Sequence, residues 1–491
     1  MACESESTGI LDQIAQMEKL HATRIKELLF IRSLRDLDKA VSVAWADDVE
    51  KDKYFPVLTN HPKNYWDFCV ATLSSLPFEW TVEKVLSIGG EGEEKLTKDE
   101  RRKAQVDQER GAERLEYLFY GFDAQMNLVR GLQGKRDSWS KALAEQVVSG
   151  SYAWGTDLLR ERGNIYACPY FYDPANVVWL PGRLGMKQVA IVKTDSYHNA
   201  QQQLADFGGL ELNVKVKSLK EGGTVNADTP VKVVIFYENE NGAVYRTMLV
   251  DDQVVLPRTV QEQWDEIPIM CGTVNNRGAE SRESVVTGAR SIAQDEFLGR
   301  SVLDPNREQY PLTNAMDSYA RQRARLVIDP TLLAKTRGAV PVATKEELEK
   351  GGLKVITLDS SDPVADAKWM SAASVPFDIE REQERGKRNL EQGSVSDAMM
   401  SGSNEPQFAA AMLQEQLRVQ GELKLDAYKI AHSGLAKQGM ENLVRIFVRM
   451  KGTVKDLEGE HLRKTGGVFK STFSYNELPN VWRVTAKREL L

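Results

Sequence analysis

The apolar positions divide the chain before anything else does. Between Ile10 and Trp45 they recur every three or four residues (Ile10, Ile14 and Met17, then Ile25, Leu28, Leu29, Leu34, Leu37 and Val41), so one or two amphipathic helices are expected. A second helical block is expected from about Asp99 to Val148. It opens on KDERRKAQVDQERGAERLEYLFYGF, where acids alternate with bases, and this run reads as a solvated helical face in preference to a nucleic-acid patch. Between the two blocks, YFPVLTNHPKNYWDF is rich in aromatic residues and proline, and is expected to be an irregular packed connection.

From Gly163 to about Leu256 the period changes to two. The runs NIYACPYFYDPANVVWLPGR, KQVAIVKTDSY and VKVVIFYENENGAVYRTMLVDDQVVL carry β-branched and aromatic residues between Asn-Gly and Asp-Asp turn signals, which predicts an antiparallel meander. Glycine-rich turns then lead to a helix with Pro311 in its N-terminal segment, ending before Asp329-Pro330. Two short strands are expected around Leu326 to Ile328 and from Gly352 to Leu358, with a small helix, TKEELEK, between them.

The segment Val375 to Gly393 has helical propensity and almost no apolar stripe, so it requires neighbours that hold it through charge pairs. A small, polar loop follows. Beyond it, Gln407 to Met450 is expected to form one very long helix or a bent pair, with HSGLAKQG (His432 to Gly439) as its weak point. The tail GGVFKSTFSYNELPNVWRVTAKREL reads as one or two final strands. Helices and strands are thus segregated along the chain, and the expected fold class is α+β.

Composition narrows the chemistry. At 491 residues the chain exceeds a single core, and with 42% apolar and 27% charged residues it has no apolar run near the ~20 residues that span a bilayer. The acidic start MACESESTGILDQ is unlike a secretory leader, so a cytoplasmic origin and no membrane contact are expected. Cys3, Cys69, Cys168 and Cys271 and the five histidines are scattered singly, which predicts neither a disulfide framework nor a metal or other cofactor. GLQGKRDS, at Gly131 to Ser138, has the wrong spacing for a phosphate loop and reads as a helix interruption, and GGEGEEK at Gly89 is too acidic to hold phosphate. No nucleophile elbow or zinc-hydrolase motif is present, so no catalytic residues are expected. A formal net charge of −7 argues against a tight grip on nucleic acid, and any DNA contact should be loose or local.

The order of elements says more than any motif. A body of helices and strands leads into a helix, a small α/β excursion, a polar helix, a flexible loop and a long helix. In that order the sequence resembles the portal proteins of tailed double-stranded DNA bacteriophages, across about Val147 to Met450. The resemblance is carried by VVSGSYAW…RGNIYACPYFYDPANVVW, IPI…GAESRESV, GRSVLDPNREQYPLTNAMDSYARQRARLVIDP and GSVSDAMMSGSNEPQFAAAMLQEQLRVQ. It implies a multidomain subunit that assembles into a ring: an N-terminal helical segment (1–55), a wing (56–300), a first stem helix with its lead-in (301–326), a clip (327–374), a second stem helix (375–393), a tunnel loop (394–406), a long channel-side helix of the wing or crown (407–450), and C-terminal strands with a short crown or none (451–491).

The resemblance further implies a virion protein at the portal vertex of the capsid, assembled in the host cytoplasm as a homo-oligomer, usually of twelve subunits. Double-stranded DNA would pass through its channel, bound transiently, during packaging and ejection. The clip, with Lys345, Glu346 and Glu349, would face the terminase large subunit and then the head-to-tail adaptor, and the rim would meet major capsid and scaffolding proteins. Ser394, Ser396, Asp397, Met399, Met400, Ser401, Ser403 and Asn404 would face DNA in the tunnel loop. Arg321, Arg325, Arg381, Arg385, Lys387 and Arg388 would line the channel or pair with neighbouring subunits. Arg321, Arg323 and Arg325, two residues apart, cannot share one helical face, and solvent or intersubunit contact is as good an account of them as DNA contact.

The alternative is another oligomeric phage structural or scaffolding protein with a long helical C-terminal region. That class predicts sustained heptads, and Phe408, Met412, Leu417, Leu423, Leu425, Ile430, Leu435, Leu443 and Ile446 hold no single register.

Overall fold

The first apolar repeat becomes one continuous helix, α1 (Ala2–Arg35), in a computed structural model that describes residues 2–45, 56–74, 78–83, 98–132, 134–135, 137–161, 163–182, 185–208, 212, 226–274, 297–328, 332–336, 355–359, 368–369, 377–393, 410–461, 467–478 and 483–487. The expected irregular connection is instead partly helical: α2 spans His61–Ser74. Pro62 stands in its first turn, where no amide hydrogen bond is lost, and Tyr65, Cys69 and Leu73 are buried at four-residue spacing. A short strand β1 (Glu79–Glu83) precedes α3 (Lys98–Leu132) and α4 (Ser138–Ser149). The interruption expected between those helices is present. Gly134 takes a positive φ of 65°, and Asp137 caps α4 by accepting from the Ser140 amide.

Strands begin one element earlier than the sequence period suggested. β2 (Ser151–Glu161) precedes β3 (Asn164–Phe171), and then come β4 (Val177–Gly182), β5 (Gly185–Ser196), a short helix α5 (Tyr197–Asp206), β6 (Pro230–Glu240), β7 (Ala243–Val250), β8 (Gln253–Val260) and β9 (Ile269–Thr273). They form two sheets, not one: β3-β2-β9 and the antiparallel meander β4-β5-β6-β7-β8. Both turn signals are used. Asn241-Gly242 and Asp251-Asp252 adopt positive φ at both positions (54° and 81°; 47° and 65°), the geometry that matches the twist of a hairpin.

Later in the chain α6 (Gln309–Ile328) takes in Leu326 to Ile328, so the strand expected there does not form; the helix ends before Asp329-Pro330, as its sequence requires. β10 (Leu332–Thr336), β11 (Val355–Asp359) and β12 (Lys368–Trp369) make a small mixed sheet, and the strand expected at Gly352 to Leu358 falls on β11. The helix expected at TKEELEK lies outside the described residues. Helices α7 (Phe377–Gly393) and α8 (Ala410–Arg449) follow, then β13 (Thr453–His461), β14 (Gly467–Ser474) and β15 (Arg483–Lys487). β13 pairs with β14, and β15 returns to pair with β1. The architecture is mixed helix and sheet, consistent with the α+β class.

The chain divides into two compact units: Met1–Leu29, Cys69–Val302 and Gln420–Leu491 form the first, and Phe30–Phe68 and Leu303–Val419 the second. In the first unit the meander buries both faces. Val178, Ala190, Val234, Phe236 and Leu249 pack against Ile10, Ile14 and Met17 of α1, while Val177, Val189, Ile191, Val233, Ile235 and Met248, one residue out of phase, enter the main core.

A buried polar clamp fixes α1 to the sheet. His21 and Arg24 are almost fully buried, and Arg24 donates to His21 Nδ1 (2.9 Å) and to the carbonyls of Pro174 (2.8 Å) and Val177 (2.6 Å). Because His21 Nδ1 accepts, Nε2 carries the proton and donates to the Trp179 carbonyl at 2.8 Å. The Arg24 guanidinium also lies 4.4 Å from the Trp179 ring centroid. Burial and the adjacent guanidinium push the His21 pKa down from 6.5 to about 3.

Helix α8 is continuous through the glycines of its expected weak point. Gly439 instead lets the helix approach the Trp154 ring, where an added Cβ would sit 2.2 Å from a ring carbon, whereas Gly434 has nothing within 4 Å. Gly439→Ala should therefore destabilise the fold by about 1–3 kcal/mol through overpacking. Gly434→Ala should stabilise it by up to ~1 kcal/mol through helix propensity. Urea midpoints of the two variants, moving in opposite directions, check both expectations.

His21 supplies a pH dependence of defined sign. Its pKa in the fold lies below the unfolded 6.5, so below pH 6.5 the unfolded chain binds a proton that the native state refuses, and stability is lost as the pH falls from 6.5 toward about 3. Wild type should lose stability relative to His21→Gln by about 1.4 kcal/mol per pH unit across that window. A difference in urea midpoints that does not change with pH would contradict it.

Candidate functional site

The polar helix α7 and the helix α6 run antiparallel in the second unit, on either side of the chain segment that holds β10, β11 and β12. Three contacts set their register. Asn306 Nδ2 donates to the Leu390 carbonyl (2.9 Å), Gln383 Nε2 donates to Asp317 Oδ1 (2.8 Å), and between them Gly386 faces Gln309 and Thr313. A Cβ at Gly386 would stand 3.3 Å from both Gln309 Nε2 and Thr313 Oγ1. Gly386 and Leu390 are buried and Gln383 is half-buried, so α7 does have a contact stripe, which among its described side chains is made of a glycine, an amide and one leucine. The close approach that glycine permits replaces the apolar area that the helix lacks.

The opposite surface of α7 is charged. Arg381, Glu382, Glu384, Arg385, Lys387 and Arg388 are all exposed. Arg385 pairs with Glu382 at 3.4 Å and Arg388 with Glu384 at 3.8 Å, three and four residues apart along the same helix. Exposed pairs of this kind stabilise by only about 0.3–0.5 kcal/mol each. The surface can therefore exchange these partners for others at little cost.

Helix α6 presents a different face to the chain around it. Asn314 and Ser318, one turn apart and fully buried, hold two extended segments. Asn314 accepts from the Thr59 amide (3.1 Å) and hydroxyl (2.7 Å) and donates to the Ser42 carbonyl (2.8 Å). Ser318 accepts from the Val57 amide (2.7 Å) and donates to the Asn314 carbonyl (2.6 Å). The Pro311 carbonyl takes the Ala44 amide (3.1 Å), and Trp45 meets Tyr319 edge-on at 5.7 Å. The sequence signal for this was an Asn-x-x-x-Ser pair inside a helix, which the apolar reading passed over; Gly386, a glycine inside a charged helix, was the other missed mark.

Of the residues singled out by sequence, Arg321 is exposed on α6, and Arg381, Arg385, Lys387 and Arg388 share the charged surface of α7. Arg323 and Arg325 belong to α6, but their side chains lie outside the described residues, as do Lys345, Glu346 and Glu349. Ser394, Ser396, Asp397, Met399, Met400, Ser401, Ser403 and Asn404 also lie outside them. Gly393 is the last described residue of α7, and the helix stop expected there lies against residues outside the described ones. Among the described residues no three His, Cys, Asp or Glu side chains gather where they could hold a metal ion, and no helix is long and apolar enough to cross a membrane.

Comparison with protein-family models gives no match, and comparison with curated proteins gives none either.

The stripe on α7 makes Gly386 the sensitive point of the helix pair. Gly386→Leu should separate α6 from α7 and destabilise the second unit by about 1–3 kcal/mol. Gly386→Ala should be close to neutral, because Gln309 can swing away and alanine gains helix propensity of up to ~1 kcal/mol. Protease resistance of the two variants, scored by cleavage between α6 and α7, distinguishes these outcomes.

Proposed function

We propose that this chain is the subunit of a phage portal ring, through which double-stranded DNA is packaged and ejected. The observation that carries the reading is the antiparallel pair α6–α7 bracketing a small mixed sheet, followed by a polar segment and the forty-residue helix α8. This is the order expected of stem, clip, stem, tunnel loop and channel-side helix. The charged surface of α7 supports it. With Gly386, Gln383 and Leu390 turned toward its own chain, the helix leaves Arg381, Arg385, Lys387 and Arg388 exposed, available to pair with acids of an adjacent copy or to face an aqueous channel.

In this reading the clip, with Lys345, Glu346 and Glu349, docks the packaging motor and later the head-to-tail adaptor. The segment Gly393 to Pro406, with only Asp397 and Glu405 charged, forms a compliant collar that touches DNA without gripping it. The net charge of −7 suits a protein through which DNA must slide.

Sedimentation and negative-stain imaging of the purified chain test the reading. Closed rings with a central hole are expected, and Arg381→Glu with Arg385→Glu should shift the sedimentation profile toward smaller species while leaving the subunit folded. A monomer at micromolar concentration across salt conditions would contradict it.

A further inference from the structure

A groove of about 710 Å³ runs between α3 and β14 in the first unit, a volume within the roughly 300–1,000 Å³ of ligand sites. From α3 it is lined by Arg110, Arg114 and Tyr117, and from β14 by Phe469, Lys470, Ser471 and Phe473. Neighbouring side chains on a strand point to opposite faces, so the consecutive residues Phe469, Lys470 and Ser471 mark a groove that follows the edge of the strand and not one face of it. No residue of β13 lines it, and β13 is the strand that pairs with β14. The groove therefore follows the other edge of β14, whose backbone meets no further strand among the described residues.

Apolar and charged groups both stand along that edge. Tyr117 meets Phe469 edge-on, with ring centroids 4.8 Å apart, and Phe473, on the same face of β14 as Phe469, is buried. Three cations, Arg110, Arg114 and Lys470, border the groove against two acids, Glu113 and Glu477. Arg114 pairs with Glu477 at 2.6 Å and Lys470 with Glu458 at 2.9 Å, both at exposed positions. Arg110, exposed one turn before Arg114 on α3, has no ion-pair partner among the described residues.

We propose that this groove takes an extended acidic peptide of a partner protein, which adds to β14 as a further strand, rests an apolar side chain on Phe469 and Phe473, and turns a carboxylate to Arg110. An open strand edge offers a row of backbone donors and acceptors that an incoming strand completes, and side-chain seats at alternate positions decide which strand is accepted. Lys470, in the middle of the edge, disfavours apolar or basic strands and favours an acidic one. A carboxylate beside Arg110 gains an ion pair and breaks none. The inference concerns the first unit alone and holds whether or not the chain forms a ring.

Fluorescence anisotropy on the full-length chain tests it with labelled synthetic peptides of eight residues, the length of β14. The probes are an alternating glutamate–valine peptide with a central phenylalanine, its lysine–valine counterpart, and the acidic peptide N-methylated at every second residue in either frame. The acidic peptide should bind, and its lysine counterpart should bind at least about tenfold more weakly. One methylated frame, which blocks the ladder, should bind about tenfold more weakly than the other. Arg110→Glu, at an exposed position, should weaken the acidic peptide about tenfold and raise the affinity for the lysine peptide. Hydrogen exchange over 467–474 should slow when the acidic peptide is bound. Absence of binding by the acidic peptide would overturn the proposal. Equal affinity for the unmethylated peptide and both methylated frames would do the same, since it would leave only charge at a surface. Self-association of the wild type that Arg110→Glu abolishes, with no peptide bound, would assign the groove to a second copy and overturn it as well.

Discussion

A five-stranded sheet with apolar residues on both faces must be covered twice, and the first unit is organised around that requirement. Period-two alternation sends Val178, Ala190, Val234, Phe236 and Leu249 to one side and Val177, Val189, Ile191, Val233 and Ile235 to the other. The second side closes on the main core. The first can close only on a helix that comes from far away in the chain, and α1 supplies Ile10, Ile14 and Met17. Apolar contact alone would let α1 slide along the sheet. His21 and Arg24 prevent this, because carbonyls at Pro174, Val177 and Trp179 are fixed points that only one register of the helix can meet.

The second unit works on the opposite principle. Its helix pair has little apolar area, and specificity comes from polar groups at set positions. Asn314 satisfies three partners with one amide, and Ser318 serves as donor and acceptor at once. Each unmade bond in such a site would leave a buried group unsatisfied, at roughly 1–3 kcal/mol. The segments around Ser42, Val57 and Thr59 are therefore held by what they would lose on leaving more than by what they bury. Gly386 plays the matching part on α7, where absence of a side chain sets the distance between the helices.

Much of this was legible in the sequence where a period or a turn residue controls the backbone. The meander, its Asn-Gly and Asp-Asp hairpins, the break between α3 and α4 and the stop before Asp329-Pro330 all follow from local rules. The misreadings share one cause, which is that tertiary contact decided against the local signal. Prolines and aromatics suggested an irregular path at 54–68, yet burial of Tyr65, Cys69 and Leu73 makes α2. For Gln407 to Met450 the sequence left one long helix or a bent pair open, and α8 is the long helix, with Gly439 used for close approach to Trp154. At the candidate site the sequence marked the charged residues of α7 but not Asn314, Ser318 or Gly386, since a buried amide and a tight helix crossing leave no periodic trace.

The charged surface of α7 places a limit on how the proposed ring could hold together. Its pairs, Arg385–Glu382 and Arg388–Glu384, are made within one helix at exposed positions, and trading them for equivalent pairs on a neighbour changes the number of ion pairs little. Ion pairing on this helix can then select which surfaces meet, and in what register, but cannot supply most of the association energy. That energy would have to come from apolar area elsewhere on the subunit. The first unit leaves Leu128, Leu132, Leu159, Ile430 and Val468 exposed, each from about half to four-fifths. In the proposed ring a division of labour would follow, with a polar helix pair, held by Gly386 and Asn314, setting the geometry of the channel and the larger unit supplying its cohesion.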